Sequence, residues 1–274
     1  MNETILQFRK KLQNLGYCKT VTNSYPKRIT KFLNHTRKEN LEVQSKDILD
    51  YYNYLKTIIS PRTRKPLSEN YLHTILQSIK LYFDYLQRSG TIKISPYQLK
   101  TKTPKSQERK VFTREEIKKL YTKSSKLQAI ILHLCYACGM RRNEAIELNT
   151  KDIDLENCLL YIRKGKGKKR RVIPFTKQVQ KDIKRFLEEK HKTQDNQSLL
   201  NITYIKIYEE FKKLLNKTGL ENKGFTLHCL RHTIATQLLE QGMELEKVRD
   251  FLGHEYLGTT QIYTRINQYN NVKM

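Results

Sequence analysis

The chain has 274 residues, with 53 lysines and arginines against 27 acidic residues, a formal charge of +26. Self-repulsion of that size disfavours a compact state unless a polyanion screens it, so composition alone points to nucleic acid or an anionic surface as partner. Residues 1–100 hold 18 basic and 7 acidic side chains and residues 101–274 hold 35 and 20, so both halves are expected to face the polyanion. The longest apolar run, Ala129 to Met140, falls short of the roughly 20 residues that span a bilayer, which speaks against a membrane protein. The N-terminus lacks the basic-then-apolar pattern of a secretory signal, and the five scattered cysteines suit free thiols in a reducing cytoplasm.

The first hundred residues read as helices. Ile5, Phe8, Leu12 and Leu15 share one helical face. Val21, Tyr25, Ile29, Phe32 and Leu33 mark a second helix, with Pro26 expected in a first turn or displacing the start. Ile48, Tyr52, Leu55 and Ile59 mark a third. The fourth opens at Ser68, carries Leu72, Ile75, Leu76, Ile79, Phe83 and Leu86 as its stripe, and ends at Gly90. Residues 1–94 are therefore expected to form a helical domain. Residues 95–112 change character: Pro96 and Pro104 bracket Lys100, Lys102, Lys105, Arg109 and Lys110 with only Glu108 opposing them. That composition predicts an extended basic linker, either a solvated tether or a segment lying along a phosphate backbone.

Residues 113–274 are expected to form a mainly helical domain with a small antiparallel sheet. Thr113 to Glu116 is a capping box, Lys126 to Cys138 an apolar helix stopped by Gly139, and Arg141 to Leu148 a short helix. Residues 158–162 and 171–175 read as two strands of a hairpin whose connection carries paired glycines. Helices are expected again at 176–192, 203–217, 228–241, 245–252 and 258–267.

Several local patterns carry chemistry. The hairpin tip places seven basic residues among nine, Arg163 to Arg171, and its glycines allow close approach of a ligand to the backbone. A basic run is more often a solvated turn. His228 and Arg231 lie three apart on one helical face, a fixed cation beside a group able to move a proton, which is what phosphate chemistry needs. His228 and His232 have zinc-pair spacing, but no HExxH glutamate or third ligand accompanies them. Cys135 and Cys138 form a CxxC inside an apolar helix with no second copy, so packed thiols are the expectation. Taken alone, Arg141 reads as a salt-bridge partner of Glu144 or Glu147, His254 as a capping residue and Tyr263 as a half-buried tyrosine.

Together and in this order, Gly139-Met-Arg141 with Glu144, the Lys166 hairpin, His228-x-x-Arg231, Leu-Gly-His254 and Tyr263 resemble the tyrosine recombinase (phage integrase) family, especially its compact Xer-type members. The resemblance spans the C-terminal half; the helical first half is similar to the family's core-binding domain without a sharp motif. Departures are minor: Cys138 and Met140 stand where Thr and Leu are commoner, and Arg142-Asn143 replaces an apolar-Ser pair.

The resemblance implies a two-domain clamp on double-stranded DNA, acting as a homotetramer on two sites. It implies Tyr263 as nucleophile forming a 3′-phosphotyrosyl link, Arg141 and Arg231 on the phosphate, His228 and His254 as hydrogen-bonding and proton-handling groups, and Lys166 protonating the leaving 5′-oxygen, with Lys168 or Lys169 as fallback. Neither metal nor other cofactor is implied. Lys100, Lys102, Lys105, Lys164, Lys168, Lys169 and Arg170 are the expected DNA-binding residues. The competing readings are a type IB topoisomerase-like enzyme and a non-catalytic DNA-binding protein that keeps the scaffold.

Overall fold

The computed structural model describes residues 3–61, 63–101, 104, 109–163, 170–191 and 198–253. The chain divides into two compact units, Met1–Gln107 and Glu108–Met274. The boundary falls inside the basic segment. Among the described residues, no helix is long and apolar enough to cross a membrane.

The first unit contains α1 (Glu3–Asn14), α2 (Lys19–Thr36), α3 (Ser45–Thr57) and α4 (Glu69–Arg88). Their apolar faces meet in one core of Ile5, Phe8, Leu12, Ile29, Phe32, Ile48, Leu55 and the α4 stripe. Phe8 packs edge-on against Tyr82 and Phe32 against Phe83, with ring centroids 5.1 and 6.2 Å apart. The Ser68 hydroxyl accepts from the Tyr71 amide and so caps α4, as its sequence suggests. Pro26 departs from expectation. It lies well inside α2 and is buried, so its ring packs in the core while the helix forgoes one N–H to the Thr22 carbonyl. Leu15 and Ile59, expected on buried faces, lie past the helix ends and are exposed. The start of the basic segment is anchored here: Ile92, Tyr97 and Leu99 pack on the core, and the Ser45 hydroxyl donates to the Pro96 carbonyl at 2.8 Å.

The second unit contains α5 (Arg114–Lys123), α6 (Lys126–Leu132), α7 (Arg142–Glu147), α8 (Lys177–His191), α9 (Tyr204–Thr218), α10 (Leu227–Glu240) and α11 (Leu245–Leu252). The expected capping box opens α5, with Glu116 N accepted by the Thr113 hydroxyl and Thr113 N by the Glu116 carboxylate. The sheet has three antiparallel strands in the order β1 (Ile153–Asp154), β2 (Leu159–Ile162) and β3 (Arg171–Pro174). β2 and β3 form the expected hairpin, with Leu160 opposite Ile173 and Ile162 opposite Arg171. β1 is two residues long, too short to leave an alternating pattern in the sequence. Leu160, Ile162 and Ile173 face the core while Tyr161 and Val172 face out, so Arg171, opposite Ile162, points inward.

One local irregularity sets up the site. The apolar helix does not run as a regular α-helix to Cys138: from His133 to Ala137 it widens into a π-turn, with the Cys138 amide bonding the His133 carbonyl at 2.8 Å. The wide turn is pinned by side chains. His133 Nε2 is 2.9 Å from Asp182 Oδ2, its Nδ1 is 3.2 Å from the Tyr121 hydroxyl, and Tyr136 donates to Gln237 at 2.6 Å. The chain then reverses at Gly139 with φ +56°, where an added Cβ would meet Leu252 Cδ2 at 2.9 Å and Phe251 Cε1 at 3.0 Å. Gly139→Ala therefore combines left-handed strain with crowding against α11. Urea unfolding is expected to show a loss of roughly 1–3 kcal/mol; unchanged stability would mean that the turn does not need a glycine.

Candidate active site

Arg141 is the second residue after Gly139 and precedes α7 by one position. Its backbone N–H donates to Glu144 Oε2 at 2.8 Å and its Nη1 to Glu144 Oε1 at 2.8 Å. Arg171, reaching in from β3, donates to the same carboxylate through Nη1 at 3.0 Å and Nη2 at 2.7 Å. Glu144 is 7% exposed. Burial by itself would raise the Glu144 pKa, but the hydrogen bonds and charge of Arg171, followed by the backbone and side chain of Arg141, hold it down to about 2. The pairing of Arg141 with Glu144 noted in the sequence is therefore real but buried, and it orients the guanidinium. Nη2 of Arg141 continues to the Gly253 carbonyl at 2.9 Å.

α10 supplies the second guanidinium. Arg231 is 3% exposed and donates through Nη1 to the Gly139 carbonyl and through Nη2 to the Leu252 carbonyl at 2.6 Å. Arg141 and Arg231 thus end on adjacent carbonyls at the close of α11, immediately before His254. Gly253 adopts φ +65° with the Arg171 side chain over its Cα; an added Cβ would meet Arg171 Cδ at 2.8 Å. His228 is exposed at the start of α10. Its pKa is lowered by partial desolvation and then by the charges of Arg142, Arg231, Arg141 and Arg109, so the imidazole is neutral near pH 7 and able to accept a proton.

The end of the basic segment is laid along the same helix. Phe112 stacks on Phe225 with centroids 3.8 Å apart and gives its amide to the Thr233 hydroxyl at 2.9 Å. Lys110 Nζ donates to the Lys223 carbonyl at 2.5 Å, and Arg109 Nη1 lies 3.4 Å from His232 Nδ1. Burial and then the Arg109 charge push His232 down to about 3. A guanidinium beside this nitrogen is hostile to a divalent cation, which weakens the zinc-pair reading on electrostatic grounds. Cys135 and Cys138 are buried thiols that burial pushes up to about 12, so they act as small hydrophobes.

The structure thus brings Arg141, His228 and Arg231 together. Lys166, His254 and Tyr263 lie outside the described residues, as do Lys102, Lys105, Lys164, Lys168 and Lys169. Lys100 and Arg170 are exposed, Arg170 beside Arg163 and Arg171 at the base of the hairpin. Sequence reasoning missed Arg171 as the counterion of Glu144. The signal was present, because an arginine two residues before a core isoleucine on a strand faces inward and needs a buried acid. Arg142 and Arg109 were missed as charges acting on His228.

The Glu144 pairing has a measurable consequence. Its pKa falls from an ordinary 4.5 to about 2, so its contribution to stability is complete above pH 4.5 and is lost as pH falls towards 2. Glu144→Gln is expected to cost about 3 kcal/mol at pH 7, with the gap from wild type closing through that acid window in chemical unfolding. A gap independent of pH between 5 and 2 would contradict the pairing.

The family profile described as the phage integrase family matches residues 110–269. The chain is 30% identical over 278 residues to the tyrosine recombinase XerA of Pyrococcus horikoshii, covering 97% of this chain and 90% of that protein. It is 32% identical over 215 residues to the XerA tyrosine recombinase of Thermococcus kodakarensis, covering 73% and 72%. Among solved structures, the fold is similar to the XerH site-specific recombinase in a post-cleavage complex with palindromic difH substrate, with a TM-score of 0.73, 23% identity and coverage of 98% of this chain and 82% of that one. A lambda integrase dimer bound to a core site gives a TM-score of 0.71 at 16% identity, covering 95% and 76%. The profile match over more than half of the chain, with full-length similarity at 30% identity, establishes that this chain belongs to the phage integrase family of tyrosine recombinases.

Proposed function

We propose that this chain is a site-specific DNA recombinase that cuts and rejoins double-stranded DNA by transesterification through Tyr263. The observation that carries the reading is the convergence of Arg141 and Arg231 on the carbonyls that end α11, with a neutral His228 beside them. The arrangement suits an in-line displacement at a phosphodiester. The Tyr263 oxygen attacks phosphorus and forms a 3′-phosphotyrosyl ester, while the bond to the 5′-oxygen breaks. The phenol, whose pKa is ordinarily near 10, gives up its proton to neutral His228. Lys166 gives a proton to the departing 5′-oxygen, which would otherwise leave as an alkoxide. Charge grows on the non-bridging oxygens, where planar guanidiniums pair with two oxygens and remain charged. His254 adds a hydrogen bond at the same phosphate. The ester conserves the bond energy, so a 5′-hydroxyl from a second strand reverses the steps and completes exchange without ATP.

Exchange between two duplexes requires four active sites, so the working form is a homotetramer on two DNA sites. Both units carry excess positive charge and grip the duplex, with Lys100, Lys102, Lys105, Lys164, Lys168, Lys169 and Arg170 contributing to phosphate contacts. The protein works in the cytoplasm, where its thiols stay reduced.

A nicked suicide duplex that loses a short fragment on cleavage tests this. Wild type is expected to form a denaturation-resistant adduct, Tyr263→Phe to form none while binding normally, and Arg231→Ala to cleave on the order of 10²–10³ more slowly. An adduct in Tyr263→Phe would move the nucleophile to another tyrosine, Tyr256 or Tyr269 first; no adduct from wild type on its own site would make the protein a binder.

A further inference from the structure

The arginines of the second unit differ in what they already hold. Arg141 and Arg171 share Glu144, Arg163 pairs with Asp152, and Arg231 is bonded to two carbonyls. Arg142 stands apart among the arginines that are not exposed. Among the described residues it has no hydrogen-bond or ion-pair partner, and its Nε is buried without an acceptor. A buried N–H left unpaired is costly, so the group calls for an explanation. The side chain is nonetheless fixed in place. Its Cζ lies 3.4 Å from the centroid of the Tyr204 ring, a flat stack against the first residue of α9. Stacking uses the face of a guanidinium and leaves its terminal Nη N–H groups to pair with phosphate oxygens. Tyr204 is itself 53% exposed, so the stack sits at the surface of the unit.

We propose that Arg142, held against Tyr204, is an additional DNA-phosphate contact of this site, alongside Arg141 and Arg231. It follows Arg141 directly in sequence, and it is the first of the charges acting on His228, ahead of Arg231 and Arg141, which places it close to the proton-handling imidazole. A phosphate oxygen on the Nη groups of Arg142 supplies the neutralising charge that no carboxylate among the described residues provides. This inference rests on the reading of the site as one for a DNA phosphodiester.

The test compares Arg142→Gln, Arg142→Lys and Tyr204→Leu with wild type in two readouts: the slope of log affinity against log salt for a duplex carrying the site, and the single-turnover cleavage rate at saturating DNA. Losing one phosphate contact lowers the slope by about 0.9. Arg142→Gln is expected to show that decrease and at least tenfold slower cleavage. Arg142→Lys is expected to keep the slope, because the charge stays, yet cleave more slowly because the planar stack is gone. Tyr204→Leu leaves the charge but removes its platform, and is expected to cleave severalfold more slowly with little change in slope. Arg142→Gln matching wild type within twofold in rate and in slope overturns the inference. If that variant does not fold, wild-type behaviour of both Arg142→Lys and Tyr204→Leu overturns it instead. Wild type forming no covalent adduct would sink the recombinase reading, while the salt slopes would still decide whether Arg142 touches DNA phosphate.

Discussion

Everything at the candidate site hangs on two guanidiniums that end on backbone carbonyls. Arg141 reaches Gly253, and Arg231 reaches Gly139 and Leu252. The last carbonyls of a helix have no partner within it, and they carry the negative end of its dipole. Filling them with arginine satisfies both needs and ties three distant stretches of chain into one place. The same bonds fix the direction of each guanidinium before any substrate arrives. A phosphate entering there meets charge that needs no reorganisation, the condition under which electrostatic stabilisation of a transition state is greatest. The buried Glu144 completes the arrangement: it balances part of the charge of Arg141 and Arg171, and its depressed pKa keeps it ionised across the working range.

Around this centre the fold sorts positive charge by task. Arg171 is spent on Glu144, Arg163 on Asp152 and Arg109 lies against His232, so these arginines shape the walls. Burial first, and then the charges of Arg142, Arg231, Arg141 and Arg109 on His228 and of Arg109 on His232, keep the nearby imidazoles neutral. His232 is held far below its ordinary range and His228 is shifted the same way, so both rings stay neutral where protonated histidines would add to an already crowded positive field. The docking of Phe112 on Phe225 and Thr233 brings the end of the basic segment onto that helix. The segment is therefore anchored to the first unit at its start and to the second unit at its end.

Much of this was legible in the sequence because the motifs are local. The amphipathic stripes of the first unit, the N-cap at Ser68, the capping box at Thr113 and the β2–β3 hairpin follow from spacing within a few residues. So do Gly139-Met-Arg141 and His228-x-x-Arg231, whose order pointed to the family. What could not be read was convergence. Nothing in residues 139, 231 and 252 announces that they share hydrogen bonds across some ninety positions of sequence. The π-turn at His133 left no pattern, since it depends on tertiary partners from α5 and α8. Pro26 misled because propensity is a local rule, and burial of its ring overrode it. Arg142 read as a departure from a pattern, and its stack on Tyr204 joins residues 62 positions apart.

The central claim is electrostatic: Arg141 and Arg231 act on charge that develops on the non-bridging oxygens of one DNA phosphate. Substituting a methylphosphonate at the scissile position removes that charge without altering the bond to be broken. Single-turnover cleavage of the two substrates by wild type and Arg231→Ala tests the claim most directly. The account predicts that the variant's deficit, on the order of 10²–10³ with the phosphodiester, shrinks at least tenfold with the methylphosphonate. An equal deficit on both substrates would contradict it, and would reduce Arg231 to a structural tie between Gly139 and Leu252.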